Sequence, residues 1–208
     1  TTKADDPTGY WNAYFKVGGS TFHKTIHIET VKPNRLKINT AYPEILEAGK
    51  AITVRTAASW LSGGSAQFCN VRAQMTLRKT SGSPFKGFEN YTFNDPASNF
   101  TSAEHELYKG KLDGNGQIAM QVKLPDAQYS PGMLQAFVVT SVEEPGGDES
   151  FTTETLKYSP YSAYVGIRVP EGEYRETDKD NKISIAVVDA AGKRVTGHQL
   201  EYAVFKTG

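Results

Sequence analysis

Apolar and polar residues alternate with a period of two over most of this chain, a pattern that predicts β-strands. Trp11, Ala13, Phe15 and Val17 alternate with Asn12, Tyr14 and Lys16, and beyond Gly18-Gly19 the alternation returns as Phe22, Ile26 and Ile28 against His23, Thr25 and His27. Two glycines between two such runs predict a hairpin, because the tight turn that matches strand twist needs positive φ at both central residues. From Arg35 onward seven more strands are expected, centred on Leu36–Ile38, Ile52–Trp60, Cys69–Leu77, Glu104–Leu112, Ile118–Leu124, Leu134–Val142 and Phe151–Lys157. Turn-forming clusters separate them, among them Gly63-Gly64, Asp113-Gly114-Asn115-Gly116 and Gly146-Gly147. Trp60 falls on the face shared by Ile52, Val54 and Ala58, so it is expected in the core. Val165–Val169, Ile183–Val187 and Leu200–Val204 predict three further strands. No stretch shows a convincing helical period. The expected class is all-β, a tandem of antiparallel β-sandwiches of immunoglobulin or fibronectin type.

A break interrupts the strands at Tyr158-Ser159-Pro160-Tyr161. Proline has no N–H for a ladder and biases the residue before it toward extended geometry. Tyr158, Tyr161 and Tyr164 surround it, and no Gly/Ser tether is present. The stretch predicts a fixed joint between two packed β-domains. A proline-kinked edge strand inside one larger domain is the competing reading. The expected organisation has closing strands of a preceding sandwich at 1–33, a complete sandwich at 34–158, and opening strands of a following one at 159–208.

Three segments carry a resemblance. Tyr158-Ser159-Pro160-Tyr161-x-Ala163-Tyr164-Val165-Gly166-Ile167, followed by Val187-Val188-Asp189-x-x-Gly192-Lys193, resembles bacterial alpha-2-macroglobulins; so do Ile28–Ile38 and Pro84–Pro96, in the same order along the chain. The resemblance implies an interior piece of a large cell-envelope protein, periplasmic or surface-exposed and anchored to the membrane as a lipoprotein through the parent's N-terminus. Such proteins are strings of macroglobulin-like domains that act in host defence as protease inhibitors. A target protease cuts a bait region elsewhere in the parent, the domains rearrange, and the protease is trapped. The family's reactive thioester needs a cysteine followed shortly by Glu-Gln. Cys69 is followed by Asn70, Val71 and Arg72, so a thioester is expected elsewhere in the parent.

Composition narrows the chemistry. Lys plus Arg and Asp plus Glu each number 23, a formal net charge of zero, which gives no general pull toward nucleic acid or anionic lipid. The chain opens at Thr1 without methionine or a signal-like segment, and an excised piece of a longer protein is expected. Cys69, the single cysteine, alternates with Val71, Ala73 and Met75 and is expected as a small buried hydrophobe. Four residues of strand put His23 and His27 about 13 Å apart, too far for one ion. His105 and His198 lack partners at ligand spacing. No nucleophile elbow, zinc-protease motif or phosphate loop occurs. No catalytic residue, no metal and no cofactor are expected.

The segment from Pro84 to Phe100 holds Phe85, Phe88, Tyr91, Phe93 and Phe100 in a long, strand-free loop. Two readings stay open. The aromatics fold back to cap their own core, or they form an interface, together with Tyr158, Tyr161 and Tyr164, for a neighbouring macroglobulin-like domain. Exposed aromatics also suit sugar rings, so a cell-surface adhesin or carbohydrate-binding module is the rival function. Incomplete sandwiches at both ends leave open strand edges. Association between copies of the fragment is expected, because the tyrosine-lined joint should hold the third segment away from the middle domain.

Overall fold

The structure, a computed structural model, describes residues 9–28, 33–102, 104–170 and 182–204. It divides into two compact units, Thr1–Asn34 and Arg35–Gly208. The first contains the hairpin of β1 (Gly9–Val17) and β2 (Ser20–Ile28), with Val17 opposite Ser20. Gly18 and Gly19 have φ of 56° and 83°, the left-handed pair that the two-residue turn demands and that a side chain would resist. Phe15 faces Phe22 across the strands, and both are exposed, as are Tyr14 and Val17.

The second unit is built on a sandwich. β3 (Leu36–Ala41), β5 (Ala51–Trp60) and β8 (Gln117–Lys123) make a three-stranded sheet, with β5 central. The facing sheet runs in the order β4 (Ile45–Glu47), β10 (Glu149–Ser159), β9 (Leu134–Glu143), β6 (Asn70–Lys79) and β7 (Glu104–Lys111). Every pairing is antiparallel except β4 with β10, which is parallel. That departure from a purely antiparallel expectation rests on a strand of three residues, too short for alternation to reveal. Leu46, at its centre, is fully buried.

Period-two burial fills the space between the sheets. Val71, Ala73, Met75 and Leu77 of β6 and Leu134, Ala136, Val138 and Val142 of β9 point inward, facing Leu36, Val54, Ala58 and Val122. Cys69 is buried among them. Two hydroxyl pairs cross this apolar interior: Thr56 Oγ1 with Tyr108 OH at 2.5 Å and Tyr42 OH with Thr140 Oγ1 at 3.4 Å. Each buried hydroxyl thereby keeps a partner, without which burial would be costly. Burial also pushes the Tyr42 pKa up, so this phenol stays neutral.

Three expectations are revised. Trp60 sits on the predicted face but at the strand's end, where it is half-buried and Arg35 lies over its ring at 5.5 Å. Leu200–Val204 forms no strand; Leu200, Tyr202 and Val204 are exposed. The alternation there is real but finds no ladder partner among the described residues; the last pairing before it is the bridge between Val188 and Arg194, after which Gly197 takes a φ of 83°. Lastly, β11 (Ala163–Arg168) pairs with β12 (Ser184–Asp189), and this hairpin is not held away from the preceding sandwich. Its inner face of Tyr164, Gly166, Ala186 and Val188 is buried against the Pro84–Phe100 loop, while Val165, Ile167 and Ile185 remain exposed.

These placements rank two substitutions. Met75→Ala should cost about 2–5 kcal/mol, the range for emptying a closed core site. Trp60→Ala should cost less, about 1–3 kcal/mol, because one side of the indole already meets Arg35 and solvent. Denaturant melts check the order, and a larger loss at Trp60 than at Met75 would reverse it.

Candidate functional site

The second unit has a third buried cluster, distinct from the two inside the sandwich. Phe85, Phe88 and Phe93 come from the loop, Met133 from the residue just before β9, and Tyr164, Ala186 and Val188 from the β11–β12 hairpin. Phe85 is 1 % exposed and Tyr164 3 %. The rings meet edge to face or tilted: Phe85 with Phe93 at 4.7 Å and 69°, Phe85 with Tyr164 at 5.3 Å, Phe88 with Phe93 at 6.0 Å and 86°. These are the separations at which ring edges meet ring faces favourably. Tyr91 packs on the margin of the cluster, 5.4 Å from Phe88.

A bare backbone makes the fit. A Cβ on Gly166 would lie 2.4 Å from Cζ of Phe93, and one on Gly192 3.2 Å from Cδ1 of Phe85. Glycine within a strand often marks such a close approach. The loop also joins the hairpin as a strand fragment. Thr92 N–H donates to Ile167 O at 2.8 Å, and Ile167 N–H donates back to Thr92 O at 3.0 Å. Two guanidinium groups cover the outer rings, Arg168 over Tyr91 at 5.3 Å and Arg194 over Phe88 at 4.9 Å.

The proline break is locked by hydroxyls. Ser159 Oγ donates to Tyr161 O at 2.8 Å, which leaves it to accept from Tyr164 OH at 2.6 Å. Tyr164 OH in turn lies 3.3 Å from the donating Tyr161 N–H. Burial pushes the Tyr164 pKa up, which keeps the phenolic proton that this arrangement needs. Tyr161 OH donates to Ser130 O at 2.7 Å, and Tyr158 OH donates to Pro125 O. Both bonds reach the segment connecting β8 to β9, so the crossing is tied to the sandwich on either side of Pro160.

Of the residues singled out in the sequence, Phe85, Phe88, Tyr91, Phe93 and Tyr164 come together in this joint, with Tyr161 beside it at 5.9 Å from Tyr164. Tyr158 is fully buried in the sandwich core and Phe100 packs on the same cluster. Sequence reasoning missed Gly166, Gly192, Arg168 and Arg194. A glycine inside the run Val165–Val169 was the available signal. It also missed the start of the sandwich, where Ser150 Oγ accepts both Arg35 N–H and Leu36 N–H at 3.1 Å and donates to Glu144 Oε1 at 3.2 Å. Arg35 Nη1 stands 3.1 Å from the buried Glu144 Oε2. No spacing in the sequence announces that contact, because its members are more than a hundred residues apart.

The joint contains phenyl rings, phenols, guanidinium groups and bare backbone, a composition suited to holding two elements together. Among the described residues no group of three or more His, Cys, Asp or Glu side chains could hold a metal ion. Burial raises the pKa of the Cys69 thiol, the opposite of what a nucleophile needs.

A family model described as the MG5 domain of bacterial alpha-2-macroglobulin matches residues 34–160. No curated protein matches the chain. Among solved structures, the native conformation of Escherichia coli alpha-2-macroglobulin is 19% identical with a TM-score of 0.57, over 89% of this chain and 13% of that one. The Escherichia coli protein activated by porcine elastase is 20% identical with a TM-score of 0.57, over 89% of this chain and 17% of that one. The Salmonella protein reacted with methylamine is 20% identical with a TM-score of 0.54, over 91% and 13% respectively. At these identities the likeness is one of fold, and the chain spans less than a fifth of the length of those proteins. The chain belongs to the bacterial alpha-2-macroglobulin family, as a structural segment that carries its MG5 domain.

Proposed function

We propose that this chain is a non-catalytic frame within a bacterial alpha-2-macroglobulin-like protease trap. The observation that carries the reading is the match of residues 34–160 to the family's MG5 domain. The sandwich and the joint that follows it supply rigidity and contribute no reacting group. Target proteases are the partners of the parent protein, and neighbouring macroglobulin-like domains are the partners of this segment. The segment 1–33 closes a preceding sandwich and 159–208 opens a following one. The parent resides in the cell envelope, periplasmic or at the surface, anchored through its N-terminus. Nucleic acid is not a partner. Copies of the isolated chain associate through apolar surface that the rest of the parent would cover, including Val165, Ile167 and Ile185 on the outer face of β11–β12, all exposed.

Two measurements test this. The isolated chain at stoichiometric amounts should leave a protease's action on a large protein substrate unchanged, while the parent slows it. Slowing by the isolated chain would overturn the passive-frame reading, and a parent without effect would overturn the trapping role. Light scattering coupled to size exclusion should show a mass that rises with concentration. A monomer at every concentration would contradict association between copies.

A further inference from the structure

We propose that the loop from Pro84 to Asn94 is a receptor for the β11–β12 hairpin, ordered by that docking, so that the sandwich, the loop and the two strands of the hairpin move as one rigid body. The loop does not cap the sandwich core. None of Phe85, Phe88 and Phe93 belongs to either cluster between the sheets, and in their own cluster only Met133 comes from the sandwich. The other buried members, Tyr164, Ala186 and Val188, are supplied by the hairpin. Removing the hairpin would leave the three phenylalanines only one another, Tyr91 and Met133 to pack on, and the face now covered by Tyr164, Ala186 and Val188 would be turned to water, an exposure that an ordered loop does not favour.

The fit identifies the kind of partner. Phe93 requires a ribbon with no side chain at the facing position, which Gly166 provides at 2.4 Å from ring to would-be Cβ. The loop offers both backbone groups of Thr92 for strand pairing, and Ile167 uses both. The ribbon must also place a cation over each outer ring, as Arg168 and Arg194 do. A β-ribbon with a bare glycine flanked by arginines meets all three requirements. The dependence is mutual, since a lone two-stranded ribbon is marginal in water. The coupling depends on the joint alone, whatever the parent protein traps, so a failed protease assay would leave it standing.

Amide hydrogen exchange on the full chain tests it, comparing the unaltered protein with Gly166→Val, which drives a branched side chain into the Phe93 ring. Phe88 and Tyr91, whose N–H groups donate within the loop, Ile167, whose N–H donates across the joint to Thr92 O, and Val195, whose N–H donates to Val187 O in the hairpin, should lose protection together. Ala73 and Val138 in the sandwich should keep theirs. Loop amides that stay protected while the hairpin is freed would show that the loop is held by its own domain and overturn the proposal. Unchanged protection throughout would overturn it equally. Should the valine variant unfold entirely, Gly166→Ala, whose single methyl group still meets the ring, decides between the same outcomes.

Discussion

Phe93 lies flat against a backbone that carries no side chain, and much of the second unit depends on that contact. A methyl group at Gly166 would stand well inside the van der Waals surface of the ring, so neither partner can shift without opening a void in the aromatic cluster. Interiors are packed too densely to absorb such a gap gradually, and the joint is therefore either closed or lost. Closure orders a loop that has no ladder of its own. It also gives an isolated ribbon the apolar face it needs, and it aligns Thr92 with Ile167 so that each residue's N–H meets the other's carbonyl.

The hydroxyl ties around Pro160 have a complementary role. Proline alone would stop the strand at the end of β10 but would not direct the chain beyond it. Direction comes from Ser159, Tyr161 and Tyr164, whose donors and acceptors are matched one to one. Because burial raises the Tyr158 and Tyr164 pKa values, both phenols keep their protons well above neutral pH, and the lock does not respond to pH near neutrality. A joint of this type transmits displacement and does not hinge. That property suits a frame segment in a protein whose proposed mechanism is a rearrangement of domains.

The sandwich was largely legible in the sequence because its information is local. Period-two alternation located the long strands, and Gly18-Gly19 specified the first turn through the φ values it permits. What failed to show was non-local or too short. β4 has three residues and a parallel partner, so alternation could not mark it. Leu200–Val204 has the right pattern and no ladder, which shows that pattern records a face and not a neighbour. The aromatics of the loop were visible as a group, yet nothing in Phe85-x-x-Phe88 says whether the rings face their own core or the next element. Gly166 carried that answer, in a strand otherwise well suited to side chains at each position. The link among Arg35, Glu144 and Ser150 was invisible because it is created only by the packing of the two sheets, which brings the start of β3 beside the turn from β9 to β10.

The central claim is that loop and hairpin are one energetic unit, and a double-mutant cycle between Phe85→Leu and Tyr164→Leu tests it most directly. Their rings are 5.3 Å apart, one on each element. Equilibrium unfolding of the unaltered chain, the two single variants and the double variant should give a coupling energy of about 0.5–1.5 kcal/mol, the range for aromatic pairs in contact. Losses that add to within about 0.3 kcal/mol, as for independent sites, would show that the two elements stand apart and would contradict the account.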